Sequence, residues 1–241
     1  MLVKVIGLLV QVIPYKESSH ILKVYTQSQG LQSYMVSGVK GPKSAIKPAH
    51  LQLLNLLELE VYQKQSNSIH RIKELKCNPP LVNLHTDMER IAVSLFIAEV
   101  LSKTLNEENQ PDESLFDFLF NLVQFVDITQ SSLSWLPQHF LLRLSAHLGF
   151  SPFLVEGSEN RVFSLKEGVF IDEYRSGPDS LTVAESELLI RIMKTGIADL
   201  PAIPSNRQLR NHLLEALLRY FSYHVPGFRE IQSHAILASL W

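Results

Sequence analysis

The chain has 241 residues, 46% of them hydrophobic and 19% charged, with a formal net charge of −2. That is enough apolar material for one or two cores, and no apolar run is long and uninterrupted enough to span a bilayer. A lone cysteine, Cys77, excludes an internal disulfide and a thiolate cluster for zinc, and suits a reducing cytoplasm.

The opening MLVKVIGLLVQVIPYKESS superficially resembles a signal peptide. Gln11 interrupts its apolar stretch and no small-residue cleavage site follows, so LVKVIGLLVQVI reads as a first strand, closed by Pro14. HILKVYTQ is a second strand, with Leu22 and Val24 on one face and Lys23 and Tyr25 on the other. In LQSYMVSGV, Tyr34 and Val36 oppose Ser33, Met35 and Ser37. LQLLNLLELEVYQ alternates Leu57, Leu59 and Val61 against Glu58, Glu60 and Tyr62, the signature of a strand with one buried face. SIHRIKELK does not alternate cleanly; Ile69, Ile72 and Leu75 fit a bulged strand or a short helix. Five short strands in this span suit a small closed barrel, with the OB-fold the leading candidate.

NPP at 78–80 closes that module, and the period turns helical. Thr86 to Glu89 reads as a capping box opening RIAVSLFIAEVLSKTL, in which Ile91, Leu95, Ala98 and Leu101 recur at helical spacing. Helices are expected over 113–128 and in PQHFLLRLSAHLGF, with Gly149 as C-cap. RVFSLKEGVFIDE reads as a β-hairpin near 161–172. Thr182 to Glu185 is a second capping box before VAESELLIRIMKTG, and Ser205 begins the last long helix, stopped by Pro226-Gly227. The expected class is α+β with two domains: a five-stranded OB-fold barrel over 1–80 and a mainly helical domain over 81–241 carrying the hairpin.

The modest net charge hides an asymmetry. Residues 1–80 hold ten Lys/Arg and four Asp/Glu, a net +6, and the remainder has twelve and twenty, a net −8. A basic module is an electrostatic footprint for a polyanion, although a solvated surface with excess lysine gives the same count. The densest stretch is SGVKGPKSAIKPAH, with Lys40, Lys43 and Lys47 among glycines and prolines and no acid. It ends a GVKGPKS segment in Lys-Ser, but the glycine spacing of a phosphate-binding loop is absent. There is no HExxH, no cysteine pair and no nucleophile elbow. His139 and His147 lie two helical turns apart, a packing or surface arrangement rather than a metal site. Nothing reads as catalytic, and no cofactor or metal is expected.

Three ordered motifs carry a resemblance. The first runs through Tyr15, Glu17, Ser18, Ile21, Thr26, Gly30, Gly38, Pro42, Lys43 and Ser44. The second is Phe140, Arg143, Leu144, Leu148, Gly149 and Phe150. The third is Tyr220, Tyr223, His224, Gly227 and Ser233. Together they resemble the RecO family of bacterial recombination and repair mediators over essentially the whole length. The resemblance implies an N-terminal OB-fold and a helical C-terminal domain. It also implies binding of single- and double-stranded DNA, annealing of complementary strands, and help in loading recombinase onto strands coated by single-strand-binding protein. The implied partners are RecR, RecF and the acidic, apolar C-terminal tail of single-strand-binding protein, in a cytoplasmic, nucleoid-associated setting without a membrane. Many members carry a four-cysteine zinc site after the Leu-Gly-aromatic helix end. Here that stretch, SPFLVEGSENRVFSLKEG, has no cysteine, so the metal is not expected.

On this reading Lys40, Lys43 and Lys47 meet phosphates without reading bases. Lys23, Arg71 and Lys73, with Lys64 and Lys76, widen the basic surface. Tyr34, with Tyr15 and Tyr25, is a stacking candidate, sheet packing being the alternative. For the partner tail, Arg143 supplies a cation beside an apolar groove lined by Phe140, Leu144 or Phe150, with Arg207 and Arg210 as further cations. The alternative is that Phe140 and Leu144 are core residues. A different class of function also fits: a protein–protein adaptor whose barrel does not touch DNA.

Overall fold

The computed structural model describes residues 1–39, 46–63, 68–108, 110–154, 161–204 and 206–240. It divides into two compact units, Met1–Thr129 and Gln130–Trp241.

In the first unit β1 (Leu2–Lys16), β2 (Ser19–Thr26), β3 (Gly30–Ser37), β4 (Leu56–Tyr62) and β5 (Ile69–Cys77) close into a barrel of order β1-β2-β3-β5-β4. Every pairing is antiparallel except β3 with β5, which run parallel over only three residue pairs, Ser33–Met35 against Ile69–Arg71. This is the expected OB-like barrel. Its interior is filled by alternate residues of β1 to β4, Val5 and Leu9, Leu22 and Val24, Tyr34 and Val36, Leu57, Leu59 and Val61, and by Ile72 and Leu75 on either side of an irregularity in β5. Each such side chain contributes about 1.5–3 kcal/mol by leaving water.

The ambiguous fifth segment is a bulged strand. Glu60 pairs with Glu74 but the next residue, Val61, pairs with Ile72, so Lys73 is the extra residue that breaks the alternation. Tyr34, expected as a stacking candidate, is fully buried in the barrel, opposite Leu22 and His70. Its ring is part of the core and offers no face to a ligand. Tyr25 is buried too, against Phe116 at 6.5 Å between ring centroids, its hydroxyl donating to the Asp112 carbonyl at 3.3 Å.

Two helices complete this unit, α1 (Met88–Thr104) and α2 (Glu113–Ile128). The cap of α1 is Asp87 rather than Thr86: the Asp87 carboxylate accepts from Arg90 N at 3.0 Å, while the Thr86 hydroxyl turns back to the Asn83 carbonyl. The predicted stripe is only half right. Ala98 and Leu101 are buried, but Ile91 and Leu95 are exposed, and Ala92, Val93, Phe96, Ile97 and Val100 fill the inner face. The helix is apolar nearly all round, so periodicity alone does not select its inner side.

Asp127, near the end of α2, ties down the segment that enters α1. Its carboxylate accepts from the backbone N–H groups of Asn83 and Leu84, both at 2.7 Å, and it is almost wholly buried. Replacing Asp127 by Ala strands both donors, and is expected to cost about 2 kcal/mol of unfolding free energy in urea titrations. A loss below about 0.5 kcal/mol, the usual range for surface changes, would show that the segment holds itself.

The second unit packs α3 (Leu136–His147) against α4 (Val183–Lys194) and α5 (Arg207–His224). A hairpin of β6 (Val162–Ser164) and β7 (Val169–Ile171) precedes α4, and a short α6 (His234–Leu240), absent from the sequence reading, follows α5. The Thr182–Glu185 capping box forms as expected: Thr182 N donates to the Glu185 carboxylate at 2.8 Å, and Glu185 N to the Thr182 hydroxyl at 3.3 Å. Gly149, just past α3, has φ 84°, the left-handed conformation of a helix C-cap. The cap of α5 is Asn206, whose side chain accepts from Leu209 N at 3.0 Å.

Candidate nucleic-acid interface

A groove lies on the barrel beside the short β3–β5 pairing. β3 ends at Ser37, and Gly38 follows in the left-handed region at φ 77°, its N–H donating to the Ser18 carbonyl at 2.9 Å. From Ile46 the described chain runs into a 3-10 turn, Pro48–Leu51, before β4. Between this segment and β5 lies a cleft of about 820 Å³, its walls including Gly38, Ile46 and His50 on one side and Arg71, Lys73 and Lys76 on the other.

Asn55 fixes the loop wall. It is buried, its amide donates to the Ala49 carbonyl at 2.9 Å, and its side-chain oxygen meets His85 Nε2 at 3.2 Å. Leu9 N donates to the Asn55 carbonyl at 3.0 Å, and Leu54, at φ 63°, donates to the Leu9 carbonyl at 2.7 Å, locking the turn onto β1. Burial lowers the His85 pKa, the nearby Asp127 charge opposing, which favours a neutral ring in this contact.

The β5 wall is cationic but not uniformly free. Glu60 and Glu74 face each other across β4 and β5, a like-charge pair that is unfavourable alone. The bulge relieves it: Lys73 reaches Glu60 at 3.0 Å, and Lys76 reaches Glu74 at 2.8 Å. The hydrogen bonds to these glutamates raise the pKa of both lysines, and the one from Lys76 lowers that of Glu74. Both pairs are solvent-exposed and so add little stability. Arg71 is exposed and makes no ion pair among the described residues. Cys77 also lines the cleft, half-buried, with burial pushing its thiol pKa up and away from thiolate chemistry.

The structure thus gathers Arg71 and Lys73 in one groove, with exposed Lys47 between groove-lining Ile46 and Ala49. Lys40, Lys43 and Lys64 lie outside the described residues. Lys23 lies elsewhere, on the outer face of β2. It pairs with Glu107 at 3.4 Å, and the same carboxylate oxygen accepts from the Ser33 hydroxyl at 2.6 Å. The connection between α1 and α2 therefore covers the strand face that many OB-folds use for ligands. Sequence reasoning missed this cover, because nothing local in Glu107 announces a partner some eighty residues away. It also passed over Tyr62, exposed on the outer face of β4, although the parity shared with Glu58 and Glu60 points it outward.

The residues expected to hold a partner tail do not converge. Phe140 and Leu144 are fully buried core residues of α3, so neither presents a surface. Arg210 is buried as well, its guanidinium 5.8 Å from the Trp135 ring centroid; that packing withdraws it from any exposed cation site. Arg143 is exposed. Arg207 is exposed and donates to the Ala238 carbonyl at 2.8 Å. Phe150, half-buried, stacks on His224 at 5.4 Å and meets Phe221 edge-on at 5.0 Å.

The hairpin has an aromatic anchor. Gly168, at φ 72°, lies against the Tyr220 hydroxyl, where a Cβ would sit 3.3 Å from the oxygen. Tyr220 donates to the Phe150 carbonyl, and His224 Nε2 meets the Leu165 carbonyl at 2.9 Å. Phe163 of β6 packs edge-on against Tyr220 at 5.4 Å. With one cysteine in the chain, on β5, the hairpin lacks the thiolates a four-cysteine zinc site needs. Among the described residues no group of three or more His, Cys, Asp or Glu is placed to hold a metal ion, and no helix is long and apolar enough to cross a membrane.

Residues 1–79 match the family model described as Recombination protein O N terminal, and residues 85–230 match Recombination protein O C terminal. The chain belongs to the RecO family. Similar full-length proteins named DNA repair protein RecO include one from Christiangramia forsetii, 32% identical over 245 residues, and one from Flavobacterium psychrophilum, 30% identical over 251 residues; each match covers 100% of both chains. A third, from Azobacteroides pseudotrichonymphae, is 28% identical over 229 residues, 95% of each chain. The barrel and its groove fall within the RecO N-terminal region, and the hairpin anchor within the RecO C-terminal one.

Proposed function

We propose that this RecO-family chain is a non-catalytic DNA repair and recombination mediator. It binds single- and double-stranded DNA in the barrel groove, anneals complementary strands, and assists recombinase loading on strands coated by single-strand-binding protein. The observation that carries the reading is the groove itself, an open cleft edged by Arg71, Lys73 and Lys76 with Lys47 alongside. It lies in a module of net charge +6. Cations on flexible stems around an open cleft grip a phosphate backbone irrespective of sequence, as annealing requires. Lys40 and Lys43 extend the same cationic run along the chain. In this reading residues 1–80 are the nucleic-acid module and 81–241 the partner-binding region, working in the cytoplasm beside the nucleoid with RecR, RecF and the single-strand-binding protein tail. Of the cations proposed for that tail, Arg143 and Arg207 are the exposed ones.

The test is fluorescence anisotropy of a labelled single-stranded oligonucleotide across a salt series. The parent protein binds, and its affinity falls as salt rises. The combined change of Lys47, Arg71 and Lys73 to Ala weakens binding to all sequences alike. It also flattens the log–log salt dependence by about 0.7 for each phosphate that is no longer neutralised. Salt-independent binding, or none, would replace this reading with a protein–protein adaptor.

A further inference from the structure

Tyr62 is exposed at 47%, unlike the buried Tyr25 and Tyr34. The barrel's other well-exposed tyrosine, Tyr15, has Lys16 Nζ 5.5 Å from its ring centroid, so one ring face already has a cation over it. Tyr62 is cross-strand from Arg71 on β5 and from Leu2 on β1. Leu2 and Ile69 are exposed at 45% and 38%, so the tyrosine stands in an apolar strip beside an arginine that makes no ion pair among the described residues. Arg71 belongs at once to this strip and to the groove wall. An exposed ring next to a cation on a sheet surface supplies both things a single strand offers to bind, a flat base and a phosphate.

We infer that Tyr62 is a base-stacking platform, taking a nucleobase of a single strand whose phosphate is held by Arg71 at the end of the groove. The inference rests on the DNA-binding reading and adds a part that phosphate contacts do not supply. The strand's bases are gripped by one face and left with their pairing edges open.

The test compares the full-length parent, Tyr62→Ala and Tyr62→Phe on an oligothymidylate strand and on an abasic strand of equal length. Tyr62→Ala is expected to bind the base-bearing strand about tenfold more weakly, the loss of roughly one stacked base. On the abasic strand it matches the parent, and its salt dependence is unchanged on both. Tyr62→Phe retains parental affinity on both strands. Equal affinity of Tyr62→Ala and parent for the base-bearing strand overturns the assignment. So does an equal loss on both strands, or a Phe variant as weak as the Ala one. A parent that binds neither strand removes the DNA-binding reading itself, a result visible before any substitution is made.

Discussion

Acidification from pH 6.5 to 4 is expected to cost the second unit about 3 kcal/mol through His139 alone. His139 lies on α3 at 7% exposure. Burial pushes its pKa from 6.5 to about 4, the neighbouring Arg143 cation pushes the same way, and a hydrogen bond with the Ile192 backbone opposes them. The folded state therefore keeps the ring neutral while the unfolded chain takes up a proton near its ordinary value. Between the two pKa values the unfolded state binds more protons, so stability falls as pH falls. The contribution is complete above pH 6.5 and lost by about pH 4. Urea titrations of the parent and of His139→Gln at pH 7, 5.5 and 4.5 check it: the parent's advantage shrinks steadily on acidification. An advantage constant with pH would mean the ring titrates in the fold as it does in the unfolded chain. Arg143→Ala should raise the His139 pKa, so any test of Arg143 as a docking cation belongs at pH 7 or above.

Tyr220→Ala is expected to cost about 4 kcal/mol, the scale of removing a buried aromatic. The ring is 1% exposed and lies between Phe150, at 5.5 Å, and Phe163, at 5.4 Å, while its hydroxyl closes the contact to the Phe150 carbonyl. Tyr220→Phe keeps the packing and strands one carbonyl, so its loss should be nearer 1 kcal/mol. A chelator should leave the parent's melting curve unmoved, because the hairpin is held by rings and hydrogen bonds. A chelator-sensitive melt with a mild Tyr220→Ala would reverse this account.

The barrel was legible where one rule acted alone. Leu57, Leu59 and Val61 alternate because one face of β4 is buried and the other is solvated, and burial follows that parity. The same parity placed Tyr34 beside Val36, and it predicts the burial that rules Tyr34 out as a stacking surface. On α3, Phe140 and Leu144 are one turn apart on the inner side, so their spacing reports packing before any groove. β5 resisted reading because Lys73 is an extra residue whose position depends on β4. The groove resisted it for a similar reason: its cations come from β5 and a distant loop, and Glu60, which occupies Lys73, meets it only when β4 and β5 pair, whereas Glu74 and Lys76 stand two residues apart on β5.

That pairing bears on how long a strand stays bound. Under the proposed DNA binding, a phosphate arriving at Lys73 or Lys76 would displace a tethered carboxylate that stays beside its lysine and stands ready to retake it. Each step is then an exchange between rivals of like charge, with a low barrier in either direction. A strand held this way can creep through the cleft a nucleotide at a time. On the same proposal it would also be surrendered to a complementary strand without letting go everywhere at once, with the protein's own glutamates setting the turnover.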